Sequence, residues 1–375
     1  MEFSNTYFDN GSTSWPKPTE VGEAMSRFLR EIGGTYGRAA YGRVFQTSGI
    51  VEECRNAMAQ VLGVSESGNI AFTPNATSAL NTIISGLELD HCEVLISPLE
   101  HNAVMRPLQR LAQTGRIHWK VLPSGKDGRI IPEKIPEVLS PNCRLVIVNH
   151  QSNVNGVIQP LQEIRSYIGS TPLAVDVTQS LGGVTVEGDK WGLDYIAFTG
   201  HKGLLGPTGT GGFFVRNPEQ LSPLILGGTG SRSESFEMPS FMPDKYEAGT
   251  PNTVGLAGLL AAVSNKPDQL WSTDCFKKML QRIAHIKGVR VLAAEDFKNQ
   301  GAVFSIVHQS IPPSTMARRL YDRFRIEIRS GLHCAPMAHR YLKSFPDGSA
   351  RFALSPWHMD GDLESLAEVL ELVLS

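Results

Sequence analysis

Short apolar and β-branched runs alternate with amphipathic helical patterns through the first two thirds of this chain. Seven of these runs are predicted to be strands: Ile70–Thr73, Glu93–Ser97, His118–Leu122, Arg144–Asn149, Leu173–Val177, Tyr195–Thr199 and Gly212–Val215. Continuously apolar strands separated by helices are typical of a mainly parallel sheet that is covered on both faces. The alternation therefore predicts an α/β fold with a doubly wound sheet.

Two of the intervening helices can be placed by their period. Val51, Cys54 and Met58 lie on one face of the first helix, which is expected to end at Gly63. A second apolar face runs through residues 80–87. Both faces are expected to belong to the core.

The pattern changes after about residue 265, where a smaller α+β unit is predicted. Its elements are a helix at Phe276–Ile286, strands at Val289–Leu292 and Val303–His308, a helix at Ser314–Phe324, strands at Ile326–Arg329 and Ala350–Leu354, and a helix at Asp360–Leu374. This predicts a large domain over 17–265 and a small domain over 266–375, joined by an N-terminal segment, 1–16. A Pro- and Gly-rich connection, 227–251, separates the two, and its polar stretch GGTGSRSESFE, at 227–237, is a candidate mobile loop.

Composition narrows the classes of function. The chain has 375 residues, of which 41% are hydrophobic and 19% are charged, so it can bury a large core. Its net charge of −2 gives no basic footprint for nucleic acid. The sequence shows no apolar run of about 18 residues and no charged-then-apolar leader, so neither a membrane span nor a signal peptide is predicted. A cytoplasmic enzyme is the default expectation.

The cysteines predict neither a disulfide framework nor a zinc site. Their number is odd and no CxxC pair occurs among Cys54, Cys92, Cys143, Cys275 and Cys334. The first four lie in apolar or helical surroundings and are expected to be inert.

The stretch TGHKGLLGPTGTGG, residues 199–212, places Lys202 between a short apolar strand and a glycine-rich turn. A lysine at the end of a strand, beside hydroxyls and exposed N–H groups, can form a Schiff base with a phosphorylated aldehyde such as pyridoxal phosphate (PLP). The alternative is a solvated lysine beside an ordinary turn. The stretch has neither the GxxxxGK[ST] order of a P-loop nor the GxGxxG of a dinucleotide site.

Ligands of doubly wound sheets bind outside the carboxyl ends of the strands, so the residues that follow each strand are candidates. After the first strand, Asn75, Ala76 and Thr77 open a helix whose N-terminus suits a phosphate, with simple N-capping as the alternative. His101 follows the second strand and can stack on a flat ring or move protons, although a lone loop histidine is more often solvated.

Asp176 ends the strand LAVD, and Gln179 follows three residues later. A carboxylate at the end of a buried strand is costly without a partner. The pyridine nitrogen of PLP is a suitable partner, because a protonated ring is a better electron sink. Capping of the next helix is the alternative for Asp176. Together with Thr199, His201 and Lys202 after the following strand, these residues point to one cleft.

These motifs resemble class V aminotransferase-fold enzymes, specifically the cysteine desulfurase and selenocysteine lyase family. The likeness runs over nearly the whole chain and implies the aspartate aminotransferase-like fold, fold type I of the PLP-dependent transferases. It is carried by YFDNGSTS at Tyr7, SNVNG at Ser152–Gly156, DVTQ at Asp176–Gln179, TGHK at Thr199–Lys202, YEAGTPN at Tyr246–Asn252, RSGLHCAP at Arg329–Pro336, and Arg351.

The resemblance implies a set of cofactor contacts. Lys202 would hold PLP and move protons, Asp176 would pair with the pyridine nitrogen, and Gln179 would bond the phenolic oxygen. His101 would stack on the ring. The phosphate would be held by the N–H of Ala76 and by Thr77, Thr199 and His201, with Thr250 contributed by the partner subunit of a homodimer.

The resemblance also implies a substrate and a nucleophile. Asn153 and Arg351 would bind the α-carboxylate of L-cysteine, with a surface ion pair as the alternative for Arg351. Cys334 would attack the substrate sulfur, keep it as a persulfide and allow L-alanine to leave. His333 would either keep the thiol partly ionised or protonate intermediates.

Departures from the longer relatives point to a shorter branch of the family. Leu332 stands where those relatives often carry a second histidine, and SNKPDQLW, at 264–271, interrupts a helix that is continuous in them. A sulfur-acceptor protein is a possible partner. The alternatives are a selenocysteine lyase, an aminotransferase or epimerase, neither of which needs Cys334, and a non-catalytic sulfur carrier, which has no reason to retain Lys202, Asp176 and Arg351 together.

Overall fold

A seven-stranded sheet forms the centre of the larger part of the molecule. The computed structural model describes residues 3–37 and 39–374. The strands are β1 (Ile70–Thr73), β2 (Cys92–Ile96), β3 (Ile117–Val121), β4 (Cys143–Asn149), β5 (Leu173–Asp176), β6 (Tyr195–Thr199) and β7 (Gly211–Val215), in the order β1-β7-β6-β5-β4-β2-β3. Only β7 runs antiparallel to its neighbours in this sheet. The predicted mainly parallel α/β sheet is confirmed.

Helices cover both faces of this sheet. They are α1 (Thr19–Arg27), α2 (Gly42–Leu62), α3 (Ala76–Gly86), α4 (Asn102–Gln113), α5 (Leu161–Ile168) and α6 (Thr253–Ser264). Successive residues of β4 enter opposite cores: Val146 packs in the cluster that contains Met58 of α2, and Ile147 in the cluster that contains Ile83 of α3. Since side chains alternate along a strand, two covered faces explain why the strand is continuously apolar.

A four-stranded antiparallel sheet forms the smaller part. Its elements in chain order are α7 (Thr273–Ala284), β8 (Val289–Leu292), β9 (Val303–His308), α8 (Pro313–Phe324), β10 (Arg329–Gly331), α9 (Pro336–Tyr341), β11 (Ser349–Ala353) and α10 (Asp360–Leu374), with the strands in the order β10-β11-β9-β8. One apolar cluster joins this sheet to α7, α8 and α10. The expected smaller α+β unit is present, and the boundary at residue 265 stays a prediction.

The predicted strand Ile326–Arg329 is misplaced. The sheet strand here is β10, which pairs Arg329 with Arg351 of β11. Upstream of it, Glu327 uses its backbone for the N-terminal segment: it accepts from the N–H of Phe8 at 2.8 Å and donates to the carbonyl of Thr6 at 2.9 Å. The apolar pattern correctly indicated that Ile326 is buried. It could not show that the backbone beside it pairs with the N-terminal segment instead of a strand of the sheet.

Two predicted helix ends are confirmed. Helix α2 ends at Gly63, which has φ of 64° and so adopts the left-handed conformation that glycine tolerates best. Helix α6 stops at Ser264, and the chain becomes helical again only at Thr273. Residues 222–252 contain no helix or strand, and the predicted mobility of 227–237 stays a prediction.

The described helices include none that is long and apolar enough to cross a membrane.

Glycine at position 211 brings β7 close to the start of α3. A Cβ atom at Gly211 would lie 2.8 Å from Asn75 Cα and 2.8 Å from the carbonyl oxygen of Phe198. Both are backbone atoms, so neither can move away cheaply. This glycine therefore shapes the turn and strand behind Lys202 and sets the distance between that strand and α3.

Replacing Gly211 by alanine is expected to destabilise the protein by about 1–3 kcal/mol, because the added methyl group overpacks a backbone contact. The midpoint of thermal unfolding measures the effect. Gly183→Ala is a matched control, since the nearest atom to its added Cβ lies 3.8 Å away. Equal midpoints for the two variants would show that β7 and α3 are not in close contact.

Candidate active site

A cavity of about 100 Å³ lies where the carboxyl ends of β4, β5 and β6 meet the first turns of α3 and α4. The predicted residues that line it are Ala76, Thr77, His101, Asn153, Asp176, Gln179, Thr199, His201 and Lys202. A second cavity of about 600 Å³ adjoins the first and shares Gln179 and Lys202 with it. The structure therefore brings most of the predicted site into one place.

Lys202 lies in the turn that follows β6. Its carbonyl accepts the N–H of Leu205 at 2.8 Å, which closes the turn around the lysine. Burial and the charge of Arg351 together lower the pKa of Lys202 to about 8, and Asp176 opposes the shift. A large fraction of this amine is therefore neutral at pH 8, and the neutral amine is the nucleophilic form.

Asp176 forms the floor of the cavity at the end of β5. Its side chain is buried, and Oδ1 accepts the N–H of Thr178 at 2.9 Å. The adjacent strand ends place Asn149 and Ala197 on either side of it. A buried carboxylate in this position suits a cationic N–H ligand, as a pyridinium would supply.

His101 is the N-cap of α4, and this contact fixes its ring. Its Nδ1 accepts the N–H of Ala103 at 3.0 Å, so in the neutral ring the hydrogen is on Nε2. Burial lowers the pKa of His101 to about 4, and the positive charge of Lys202 contributes to this shift. The imidazole is therefore neutral at pH 7 and held in one orientation, as a stacking residue requires.

The start of α3 offers N–H donors to the cavity. Asn75 Oδ1 accepts the N–H of Ser78 at 2.9 Å and caps the helix. Ala76 and Thr77 come next, and the N–H groups of a first helical turn have no partner within the helix. The predicted phosphate site and the alternative of N-capping are therefore compatible, because the cap is made by Asn75.

Polar atoms without partners face the same cavity. His201 Nδ1 and Thr178 Oγ1 are buried and have no hydrogen-bond partner in the described part of the chain. Thr199 differs, because its hydroxyl already donates to the carbonyl of Thr210 at 3.2 Å and would have to rotate to reach a phosphate. Burial lowers the pKa of His201 to about 4, with Lys202 and Lys17 contributing.

The residues present fit PLP. An amine, a buried carboxylate and a helix N-terminus share one cavity, and two unpartnered polar atoms lie beside them. Gln179 Nε2 donates one hydrogen to the carbonyl of Gly11 at 2.8 Å, which leaves its second N–H for a ligand oxygen. This donor set matches a phosphorylated, cationic, aldehyde-bearing ring.

Arg351 is buried, which overturns the alternative of a surface ion pair. It is only 1% exposed. Its Nη2 donates to Asp9 Oδ1 and to Ser12 Oγ, both at 2.8 Å, and its Nη1 donates to the carbonyl of Asn153 at 3.2 Å. Its Nε is buried without a partner among the described residues. Asp9 and Ser12 were not predicted, because an N-terminal segment gives no pattern that reveals its contact with β11.

Cys334 is exposed on a tight turn before α9. His333 and Cys334 both have positive φ, 49° and 56°, and Asn102 N–H donates to the carbonyl of Cys334 at 2.8 Å. Arg329 Nη2 lies 3.7 Å from Cys334 Sγ, so a guanidinium faces the thiol. The sequence analysis assigned no role to Arg329, although this residue is the first of the motif RSGLHCAP.

His333 does not face the thiol. Its Nε2 lies 3.2 Å from the carbonyl oxygen of Ser349 and 3.1 Å from Ser349 Oγ, on the buried side of the turn. Burial lowers the pKa of His333 to about 2, and the charge of Arg351 contributes. The two roles predicted for His333, keeping the thiol ionised or protonating intermediates, stay predictions, and the cation beside the thiol is Arg329.

The other cysteines fit the expectation of inert core residues. Cys54, Cys92 and Cys143 are buried, and Cys275 is half-buried. Burial raises the pKa of Cys54 to about 12 and that of Cys275 to about 11. All five cysteines are free. Within residues 3–37 and 39–374, no group of three or more His, Cys, Asp and Glu side chains could hold a metal ion.

Thr250 is exposed and lies outside the Lys202 cavity of its own chain. Its predicted contact with a phosphate in a partner subunit stays a prediction.

Comparison with known proteins places the chain in a family. The sequence profile of the class-V aminotransferases matches residues 6–366, and the chain belongs to that family. Within it, the similarity is to cysteine desulfurases, which confirms the expected resemblance.

Two relatives and two solved structures illustrate the similarity. A probable cysteine desulfurase from Methanothermobacter thermautotrophicus is 30% identical, over 98% of this chain and 94% of its own length. One from Pyrococcus abyssi is 30% identical, over 97% and 93%. The apo structure of a cysteine desulfurase from Thermococcus onnurineus superposes with a TM-score of 0.88 at 26% identity, over 98% of this chain and 94% of that chain. An Escherichia coli cysteine desulfurase gives 0.86 at 25% identity, with the same coverage.

The amine of Lys202 should become reactive at unusually low pH. In cofactor-free protein, acylation of Lys202 by acetic anhydride, followed by peptide mass spectrometry, should show a midpoint of about 8 instead of the ordinary lysine value of 10.5. Asp176→Asn should lower this midpoint further, because the carboxylate charge stabilises the ammonium form. A midpoint near that of a lysine-containing model peptide would contradict the described surroundings of the amine.

Proposed function

We propose that this protein is a PLP-dependent cysteine desulfurase that converts L-cysteine to L-alanine and leaves the sulfur on Cys334. The observation that carries the proposal is the position of Asn153. This residue lines the Lys202 cavity, its carbonyl accepts from Arg351 at 3.2 Å, and its Nδ2 donates to the carbonyl of His333 at 2.8 Å. One residue thus links the cofactor cavity, a carboxylate-binding arginine and the turn that carries Cys334.

The residues that would hold PLP are those whose donors face the cavity. Lys202 would bind the aldehyde carbon, Asp176 the pyridine nitrogen and Gln179 the phenolic oxygen. His101 would stack on the ring. The phosphate would take the N–H of Ala76 together with Thr77, Thr199 and His201. When bound, PLP supplies an electron sink for the bonding electrons released at the substrate α-carbon.

Arg351 and Asn153 would position the substrate. Arg351 Nε and Asn153 Oδ1 are both buried without partners among the described residues, so the guanidinium has a free N–H for a carboxylate oxygen. Asn153 Oδ1 can accept a hydrogen from the substrate amine. A carboxylate held at this point places the α-carbon toward Lys202, and the neutral amine of that residue can take its proton.

Cys334 then acts as the nucleophile. Its thiolate attacks the substrate sulfur, a new S–S bond forms, and the bond between that sulfur and the substrate β-carbon breaks. The electrons of the broken bond remain with the carbon side, which is protonated and leaves as L-alanine. L-cysteine plus the Cys334 thiol therefore give L-alanine plus a Cys334 persulfide, with atoms and electrons balanced. The Arg329 guanidinium lies 3.7 Å from the Cys334 sulfur, beside the position that the persulfide would take.

The exposure of Cys334 supports transfer of the sulfur to an acceptor thiol, on a small molecule or on a protein, that comes to the surface. A cytoplasmic location is part of the proposal, because five unpaired cysteines suit a reducing compartment.

Cys334→Ala should keep the visible absorbance of bound PLP and lose persulfide and alanine formation from L-cysteine, because the sulfur has no acceptor. The matched control is Cys275→Ala, which removes a half-buried thiol of α7 and should retain both. Alanine and total sulfide are measured after addition of L-cysteine.

The same pair of variants separates the candidate reactions. Undiminished cysteine turnover by Cys334→Ala would overturn the proposed mechanism. Turnover of L-selenocysteine by that variant, with cysteine turnover lost, would instead identify a selenocysteine lyase. A 2-oxo acid product would identify an aminotransferase.

We further propose a homodimer in which Thr250 completes the phosphate site of the partner. The segment that carries Thr250 exposes apolar side chains: Ile225 is 62% exposed and Leu226 is 71% exposed. A contiguous exposed apolar segment of this kind favours coverage by another protein surface. The buried ion pair of Arg55 with Glu247, at 2.8 Å, holds the same segment against the end of β1.

Hybrid dimers test this arrangement. Thr250→Ala and Lys202→Ala should each abolish or weaken PLP binding when purified alone. Mixed dimers, refolded together, should regain one complete site per dimer, because the Thr250→Ala chain keeps Lys202 and receives Thr250 from its partner. PLP absorbance and cysteine turnover report the recovery. No recovery in mixed dimers would place Thr250 and Lys202 of one chain in the same site.

A further inference from the structure

The side chain of Glu100, next to His101, is completely buried at the carboxyl edge of the sheet. Glu100 Oε1 accepts the N–H of Asn149 at 2.8 Å and lies 2.7 Å from Ser97 Oγ. Its Oε2 is buried without a partner in the described part of the chain. The charged side chain that shifts the pKa of Glu100 is Asp176, another carboxylate. No part of the proposed mechanism uses Glu100.

A count of hydrogens in this cluster shows that one is missing. Ser97 Oγ lies 2.7 Å from Glu100 Oε1 and 2.8 Å from Asn149 Oδ1, but a hydroxyl carries a single hydrogen. The amide of Asn149 cannot be reversed, because its Nδ2 donates to the carbonyl of Leu99 at 2.8 Å. If Glu100 were ionised, one of the two short contacts of Ser97 would join two oxygens with no hydrogen between them.

A hydrogen on Glu100 Oε1 removes the conflict. The carboxylic acid then donates to Ser97 Oγ, and the Ser97 hydroxyl donates to Asn149 Oδ1. The N–H of Asn149 still reaches a lone pair of Oε1. Every short contact in the cluster now contains one hydrogen.

We propose that Glu100 is a neutral carboxylic acid that positions Asn149 and leaves Asp176 as the single anion on the floor of the cofactor cavity. The register of β4 and β5 pairs Asn149 with Asp176, and both line the cavity. The part that concerns the cofactor rests on the proposed function; the protonation state does not.

The electrostatic surroundings agree with the hydrogen count. Burial and the charge of Asp176 together raise the pKa of Glu100 to about 8, while the hydrogen bonds from Ser97 and Asn149 oppose the shift. A second carboxylate charge next to Asp176 would be repelled by it. A neutral acid holds the ends of the strands together without that repulsion.

The pH dependence of stability in cofactor-free protein tests the protonation state. Folded wild-type protein keeps the Glu100 proton until about pH 8, whereas the unfolded chain loses it near the model value of 4.5. The folded state thus binds more protons between these values, so this group's contribution to stability falls as pH rises. Glu100→Gln does not titrate. Its unfolding midpoint relative to wild type should therefore rise by a few degrees between about pH 5 and about pH 8.

Glu93→Gln is the matched control. Glu93 is also a buried glutamate on this sheet, but it pairs with Lys120 and accepts from Ser140 at 3.0 Å, which lowers its pKa. It should be ionised in both states across the same pH range, so its midpoint difference from wild type should stay constant. A constant difference for Glu100→Gln as well would overturn the proposal.

Infrared spectroscopy provides a second measurement that does not require the variant to fold. Wild-type protein in D₂O at neutral pH should show the C=O band of a protonated carboxylic acid, because exposed carboxyl groups are ionised at that pH. The band should disappear as pH rises through about 8. Absence of the band in folded wild-type protein would overturn the proposal, whatever the variants do.

The PLP-loaded protein tests the link to Asp176. At pH 6 to 7, where Glu100 is neutral, the visible PLP band should have the same position in wild type and Glu100→Gln, because no charge is removed, and it should shift in Asp176→Asn. A shift in Glu100→Gln would mean that Glu100 is charged beside the cofactor. Failure of the desulfurase proposal itself would appear separately, as undiminished cysteine turnover by Cys334→Ala.

Discussion

The buried guanidinium of Arg351 holds together the parts of the chain that form the site. A cation that is 1% exposed is tolerated only when it is paired and hydrogen-bonded. Its partners are Asp9 and Ser12 of the N-terminal segment and the carbonyl of Asn153 beyond β4. Three distant stretches of sequence must therefore meet at one point before the charge is satisfied. Ser12 Oγ also accepts from Arg329 at 3.2 Å, so the arginine that faces the thiol is tied to the same point.

The ionisable groups of the site fall into two kinds. Arg329 and Arg351 carry guanidinium groups, which stay charged in proteins. Lys202, His101 and His201 have lowered pKa values, of about 8, 4 and 4, because they are buried close to these or other cations. Permanent positive charge is thus concentrated where a carboxylate and a sulfur anion would be held. His101 and His201 are left neutral at pH 7, and Lys202 loses its charge near pH 8.

The sequence was most informative where the sheet geometry determines position. Residues that follow parallel strands meet at one edge, so His101, Asp176 and Lys202 could be assigned to one cleft from the sequence alone. The continuously apolar strands and the glycine that ends α2 were sufficient to predict the main sheet and the helices that cover it. The family resemblance added the roles, including that of Cys334, which no periodicity could reveal.

What could not be predicted depends on contacts between distant or irregular segments. Asp9 and Ser12 lie in a stretch with no periodicity, so their contact with Arg351 had no local signal. The sequence places His333 beside Cys334, but the structure holds His333 Nε2 against Ser349 and brings the guanidinium of Arg329 to 3.7 Å from the thiol. The protonation of Glu100 follows from the orientation of the Asn149 amide, and only coordinates show that orientation.

The turn that carries Cys334 limits how far its sulfur can travel. Its backbone is anchored on both sides, by Asn153 Nδ2 on the carbonyl of His333 and by the N–H of Asn102 on the carbonyl of Cys334. Helix α9 begins two residues later, at Pro336. A thiol tethered in this way changes position by rotation about its side-chain bonds, not by the swing of a long arm. Sulfur transfer therefore requires the acceptor atom to enter the mouth of the site. The shape of that mouth selects which acceptors can do so.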